Sequence, residues 1–442
     1  MIAFIRKILK DRRGNALAIA CACMPLVVGA AGLATDTIEW TLWRRQLQRA
    51  ADSAAFAGVY DRAAASGATT NTPTAVCRDL AVNLHTWMNL NGTSPCTGGR
   101  GSYTTLSYPA NGAFTSNTVT VTLNIQQSLP FSSLFMSSAP VITATATASS
   151  VTAGGSPCML ALSSTGTAID NSGNTTVNAP TCIFYSDSAA SNSAAAGGSS
   201  AVTAKAIAGV GGIASSNNWN VQQYLPYSPS LPDPFAPPSS TAVTPDPTDM
   251  HCTGVAADKN TDWAAMKAAG KNCFTSMSTN PHDSINVPDD FGPIYINGGS
   301  VDLKGDFSCV HCTIVLTNSS TATNATIGTF DSNAQATNNM TAPTSGAYKG
   351  ITVYQDRRAT LGNVAHINGG SGNVTSGVVY FPRATLWLNG TGSAVSLCSM
   401  YIANKLVFNG TGQVAISAPT DASCAGVGMP NTTGTTIVRL IA

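Results

Sequence analysis

Charge is what this sequence has least of. Asp, Glu, Lys and Arg make up 10% of its 442 residues and nearly cancel, leaving a net charge of +1. Ordinary soluble domains carry about 25%. No basic patch stands out beyond the first residues, which argues against a nucleic-acid partner. There is no Walker loop or dinucleotide fingerprint, and no Ser/His/Asp set can be assembled. The low charge does not imply disorder either. Apolar residues reach 43% and arrive in short strand-like runs, which favours a folded, mainly β chain. The length allows two or three domains and a real core.

The longest uncharged apolar stretch lies near the start, from Asn15 to Thr35. It holds about 20 residues, enough to cross roughly 30 Å of hydrocarbon as a helix. Arg6, Lys7, Lys10, Arg12 and Arg13 precede it, and Asp36 and Glu39 open the other flank. Basic flanks stay in the cytoplasm, so a single pass is expected with the N-terminus inside and the rest exported. Pro25 is tolerated in a spanning helix. Trp40 and Trp43 sit where indole rings favour a membrane interface, although core packing explains them as well. A cleaved signal ending near Gly32-Leu33-Ala34 competes with this reading. Against it, helical spacing continues through Trp40, Trp43, Leu47, Ala51, Ala54 and Gly58. Arg44, Arg45, Gln48, Arg49 and Asp52 take the opposite face. Ala50, Ala51, Ala54, Ala55 and Gly58 form a small-residue strip that permits close approach, to a partner helix or to the chain's own head domain.

Arg12-Arg13-Gly14-Asn15, Gly32-Leu33-Ala34-Thr35-Asp36 and the run from Arg44 to Ala55 (RRQLQRAADSAA) resemble the N-terminal domain of TadG-like proteins of bacterial Flp/Tad pilus-assembly systems. Pseudopilin relatives place a Glu five residues after a Gly for prepilin cleavage. Gly14 is followed at that distance by Ile19, so the anchor is expected to be retained. Further along, Cys158-Met-Leu-Ala-Leu, Asp233-Pro-Phe, the run from Ser345 to Asp356 and Gly377-Val-Val-Tyr-Phe-Pro resemble the exported region of the same family. No adhesion-type metal-binding domain is evident. The resemblance implies a bacterial inner-membrane protein with a periplasmic or surface-exposed body. Its expected partners are pilins or other pilus-assembly membrane proteins.

Five segments follow: 1–35, basic flank and transmembrane anchor; 36–153, helix extension and a small α+β, pilin-like head; 154–224, a first β-solenoid segment; 225–292, a Pro-rich linker or strap with one short helix; and 293–442, the main solenoid segment. Thr74 to Leu90 reads as a second helix ended by Asn91-Gly92. Asn117–Gln126 and Val141–Val151 alternate as strands. Ile296, Ile367, Leu388 and Phe408 each precede Asn-Gly, and Asn368, Asn389 and Asn409 are spaced by 21 and 20 residues. That period suits a short-repeat solenoid, with Asn-Gly supplying positive-φ turns. The expected body is a right-handed parallel β-helix.

Of 12 cysteines, Cys21 and Cys23 lie in the anchor. The other ten are Cys77, Cys96, Cys158, Cys182, Cys252, Cys273, Cys309, Cys312, Cys398 and Cys424. An even number in an exported region implies disulfides. Neighbour pairing is one of the connectivities open to them. Cys309-Val-His-Cys312 has redox-motif spacing but a strand-like setting. His251, Cys252, Cys273 and His282 fit no zinc template. A polysaccharide hydrolase or lyase would need clustered carboxylates, and Asp302, Asp306, Asp331 and Asp356, with Arg357 and Arg358 as clamps, are the candidates. No catalytic residue, cofactor or metal is assigned. The expected function is a non-catalytic, membrane-tethered pilus-assembly or secretion component. A glycan-binding adhesin and a β-helix enzyme are the alternatives.

Overall fold

The computed structural model describes residues 15–84, 90, 94–96, 102–103, 105–110, 115–152, 157–239, 241–333, 336–369, 374–390, 393–396, 398–417, 424, 429 and 436–441. Arg12, Arg13, Gly14 and the Asn91-Gly92 stop lie outside them. The chain divides into two compact units, one of residues 1–151 with 438–442 and one of residues 152–437.

The first unit is built on one helix, α1, Asn15–Ala64. It runs unbroken through Pro25, as the continuing periodicity predicts, and is about 75 Å long at 1.5 Å per residue. Ser66 and Gly67, both at positive φ, end it. Helix α2, Thr72–Asn83, follows with Pro73 in its first turn, where a missing N–H costs nothing. It stops earlier than the apolar spacing predicts. Leu90 instead makes an antiparallel bridge to Ile125 and is buried there, so sheet pairing overrides the helical pattern. Strands β1 (Thr105–Ser107), β2 (Thr115–Gln126) and β3 (Val141–Thr152) pair antiparallel in sequence, and Thr436–Leu440 joins beyond β3. Val119, Val121, Leu123 and Ile125 of β2 alternate inward with Ile142, Ala144, Ala146 and Ala148 of β3. On the outer face Thr120 meets Thr147 at 2.9 Å and Thr122 meets Thr145 at 3.1 Å.

The second unit contains a 21-stranded sheet whose strands pair parallel. Pairing skips: Gly292–Asn297 bonds not to the next strand but to Cys312–Thr317, while Val301–Leu303 bonds to Phe330–Ser332 and Asp306–Cys309 to Asn338–Thr341. Three ladders result, each taking one strand in three. Val374–Gly390 takes part in all three. Asn368, Asn389 and Asn409 are direct partners in one ladder, so the repeat read along the chain is a repeat across the sheet. Inside lies a core that includes Phe184, Phe274, Phe307, Phe330, Phe381 and Phe408.

The order of strands departs from the order of the chain. Ser399–Gly410 pairs with Pro157–Ala161 and Ile169–Asn171, and Gln413–Ile416 pairs with Thr176–Ser186. The late segment therefore docks on the start of the early one, and 154–224 and 293–417 share one sheet. The chain enters this sheet part-way along, runs out to one edge at Trp219–Leu225, and must reach the opposite edge near Cys273.

The Pro-rich segment makes that crossing. One face of the sheet carries a column of direct partners: Tyr295, Val315, Tyr354, Tyr380, Ile402, Leu160 and Tyr185. Residues 228–239 and 241–251 lie along it. Ser228 N–H bonds to Gly209 O at 2.8 Å, and the Tyr185 hydroxyl donates to Pro229 O. Leu231 N–H donates to Asp187 at 2.8 Å, Tyr380 to Asp233 at 2.6 Å and Tyr354 to Val243 O at 2.7 Å. Phe235 meets Tyr380 edge-on at 5.2 Å. The strap ends where His251 N–H bonds to Asn272 at 2.9 Å and Cys252 bonds to Cys273. The short helix Trp263–Ala268, capped by Asp262, then sets Trp263 on Phe274 at 5.1 Å.

Phe235 is 2% exposed, so Phe235→Ala should cost about 3–5 kcal/mol. It should also open residues 226–250 to protease before the rest of the sheet, as read by urea titration and mapped cleavage. Burial pushes the Asp187 carboxyl up to about 6, against the bonds from Leu231 and Ser230. The folded state then binds more protons than the unfolded one between about pH 4 and about 6, so stability falls as pH rises through that window. Asp187→Asn should flatten that slope in unfolding curves across the window; an unchanged slope would show that Asp187 does not set it.

Candidate functional site

Two places carry the residues singled out above: α1, and one partly exposed ladder of the parallel sheet. Along α1 the surroundings change half-way. Ile19, Met24, Pro25, Leu26, Val27, Val28 and Leu33 are exposed, and Cys21 and Cys23 are free and exposed among them. Beyond Asp36 one face of the helix becomes the core of the head. Leu47, Ala50, Ala51, Ala54, Ala55 and Val59 are buried with Val76, Leu80 and the inward residues of β2 and β3, and Trp40 and Trp43 pack at the margin. Of the two readings of the small-residue strip, a partner helix or the chain's own head, the head occupies it. Its small size is what the packing needs: a Cβ on Gly58 would sit 2.9 Å from Val119 Cγ1 and 3.3 Å from Thr72 and Val76.

Polar bonds fix the same face. Ser53 donates to Asp79 at 2.9 Å and Thr72 to Asp61 at 2.9 Å, tying α1 to α2. Arg62 donates to Thr118 O at 2.7 Å and lies over the Tyr108 ring at 5.2 Å. Arg44 covers Trp40 at 5.6 Å. Where the exposed half meets the head, Asp36 is buried and accepts from Phe131 N–H at 3.0 Å and from the Ser132 N–H and hydroxyl.

The carboxylates weighed for polysaccharide chemistry are mostly engaged. Asp356 is buried and accepts from Thr317 at 2.7 Å and Arg358 at 2.7 Å, and Arg358 also holds Ser320 O and Asn318 O. The Arg358 guanidinium and the Thr317 hydroxyl hold Asp356 below the usual carboxylate range in spite of its burial. Arg357 donates to Val243 O at 2.8 Å and stacks over Tyr380 at 5.4 Å. Neither arginine is a free clamp; both fasten loops to the sheet. Asp306 accepts from Thr337 N–H at 3.2 Å.

Asp302 and Asp331 are brought together. They are direct partners on neighbouring strands, and the column continues through His366 and Trp387. Strand spacing sets adjacent members about 4.8 Å apart. His366 Nδ1 lies 2.6 Å from Asp331, Lys304 lies 2.8 Å from Asp302, and His366 and Trp387 ring centres are 6.3 Å apart. Sequence reasoning missed this column, although the signal was there: His366 and Trp387 each fall two residues before a repeat asparagine. A separate cavity of about 320 Å³ lies by Tyr295 and Tyr348. Among the described residues Asp249 is the one carboxylate that lines it, with His251 beside it.

The cysteines are paired as neighbours: 77–96, 158–182, 252–273, 309–312 and 398–424. Cys309 and Cys312 are buried at the facing ends of two strands joined through His311 at positive φ, so neither sits at the helix N-terminus a redox dithiol needs. Cys252 and Cys273 bond each other, which removes both thiolates from the metal site imagined with His251 and His282. Among the described residues no group of three or more His, Cys, Asp or Glu is placed to hold a metal ion.

Residues 14–69 match the family model for Tad, the Flp pilus-assembly TadE/G-like proteins. This segment is a TadE/G-like domain. It coincides with α1 and the turn into α2, the span in which an exposed apolar helix becomes the core of a head. The TadE/G-like helix is long and apolar enough to cross a membrane. Together with the disulfides of the rest of the chain it bears the marks of a membrane-anchored, exported protein. No curated protein and no solved structure matches the chain.

The close approach at Gly58 gives a test of the head. Gly58→Leu should destabilise it by about 1–3 kcal/mol through overpacking. Val119→Ala in the same chain should recover part of the loss, read as the midpoint of thermal unfolding in detergent.

Proposed function

We propose that the protein is a non-catalytic, membrane-tethered envelope component of a Flp/Tad-type pilus-assembly or secretion system. One observation carries this: a single TadE/G-like helix is exposed over its apolar half and forms the core of a folded head over the other. A soluble domain would not leave so long an apolar helix in water. The basic residues before Asn15 favour a cytoplasmic N-terminus, with head and parallel sheet beyond the bacterial inner membrane. Because the small-residue strip is filled, lateral partners — pilins or other assembly membrane proteins — would meet the apolar half of α1. The parallel sheet is read as a right-handed β-helix, supported by its three ladders and by the stacked asparagines. It would act as a stiff body offering a long side for contact.

A second reading has one observation in its favour. The Asp302, Asp331, His366 and Trp387 column places a half-buried indole beside hydrogen-bonding groups on a partly exposed ladder, which suits a glycan. Trp387→Ala should then abolish any signal the intact protein gives on a glycan array.

The main reading predicts the effect of Leu26→Arg with Val27→Arg. Each charge at the centre of a spanning helix costs about 2.5–3.5 kcal/mol. The variant should leave the carbonate-resistant membrane fraction, and pilus-assembly membrane proteins that co-purify with the wild type should be lost with it. Normal membrane retention would refute the anchor; retention with no assembly protein recovered from either form would refute the role.

A further inference from the structure

The β2–β3 connection, residues 127–140, carries an exposed apolar tip, in which Phe135 packs on Phe131 of the same loop with ring centres 5.3 Å apart. Leu134 is 74% exposed, Phe135 76% and Met136 49%. Three consecutive large apolar residues at such exposure are unusual for a loop tip in water. The stretch from Gly101 to Ile169 has no charged residue, so nothing in the loop opposes contact with hydrocarbon. Its place along α1 is fixed. Phe131 lies against Gly32, where an added Cβ would fall 2.3 Å from the ring. Asp36 accepts from the N–H groups of Phe131 and Ser132, at the start of the 3-10 turn Ser132–Leu134. The loop is thereby held at the level where the uncharged run of α1 ends. The exposed apolar residues of α1, from Ile19 to Leu33, end at this level, and Leu134 and Phe135 of the loop are exposed as well.

We infer that this loop is a second membrane contact. Its tip sits in the headgroup and acyl boundary of the same leaflet from which α1 emerges, and the occupant of the apolar patch is lipid. Phe and Leu with flanking serines suit that depth. Two contacts at one level would stop the head from rotating about α1 and fix which of its sides faces along the membrane. This rests on the anchor reading of α1.

The test uses the intact chain in phosphatidylcholine/phosphatidylglycerol vesicles, with Cys21→Ser and Cys23→Ser removing the free thiols. Nitroxide labels are placed singly at Leu26→Cys, Phe135→Cys and Val82→Cys. Each of these side chains is largely exposed, so labelling leaves the core intact. Val82 is on α2, which bonds to α1 at Ser53, roughly 25 Å along the helix from Thr35, and serves as the aqueous reference. The ratio of oxygen to nickel-chelate collision rates should be several-fold higher at Phe135 than at Val82, and highest at Leu26. If Leu26 is bilayer-like while Phe135 matches Val82, the loop is in water or covered by protein, and the inference fails with the anchor intact. If Leu26 also matches Val82, the anchor reading itself fails and takes the inference with it.

Discussion

The tyrosine column of the parallel sheet has to be covered, and much of the larger unit follows from how that is done. Tyr295, Tyr354, Tyr380 and Tyr185 line one face, and burial pushes the hydroxyls of Tyr354 and Tyr380 well above the ordinary tyrosine range. A buried hydroxyl without a partner is costly. The strap supplies partners from its carbonyls and from Asp233. Proline is apt for this work. It holds the chain extended and has no N–H to satisfy, so a segment rich in it can lie on aromatic rings without leaving orphan donors. The same segment resolves a problem of route. The chain begins the sheet in the middle, and the strap carries it from one edge to the other. Cover and return path are one element.

The smaller unit obeys a related constraint at closer range. A helix as long as α1 cannot be stabilised by propensity alone; over its second half it depends on tertiary packing. Alanines and Gly58 let β2 and α2 come close enough to bury it on two sides, while Asp61, Arg62 and Ser53 satisfy polar groups at the edges. Small residues at helical spacing are ambiguous by nature, because close approach to a partner and close approach to one's own sheet need the same side chains. The structure uses them for the second.

Local patterns were the legible part. The uncharged run, the alternating threonines of β2 and β3, the short β runs from Cys158 onward and the asparagine period all follow from spacing visible in the chain. Legibility ended where distant segments meet. Nothing local says that Gln413–Ile416 docks beside Thr176, or that Tyr380 waits for Asp233, because those partners are separated by more than a hundred residues. The second helix forms but ends at Asn83, before its spacing predicts, because Leu90 has helical spacing and a bridge to Ile125 competes for it. Arg357 and Arg358 looked available because sequence shows charge and hides what neutralises it. The Asp302–Asp331–His366–Trp387 column was half legible, for the repeat gives the register of its last two members and the first two join only through strand pairing.

Scarce charge takes on a different meaning once partners are known. In the larger unit Asp356 and Arg358 close one loop, and Asp187 and Asp233 hold the strap. In the smaller unit Asp36, Asp61 and Arg62 bind the head together. Ionisable groups placed this way are committed to structure, and moving a proton or a substrate through them would break the bonds that maintain the fold. Catalysis asks the opposite, a group whose partner is the reactant. The charges named here hold the chain's own loops, while α1 exposes apolar surface over its first half. That is why the functional reading rests on α1 and the surfaces beside it, and not on the carboxylates that first drew notice.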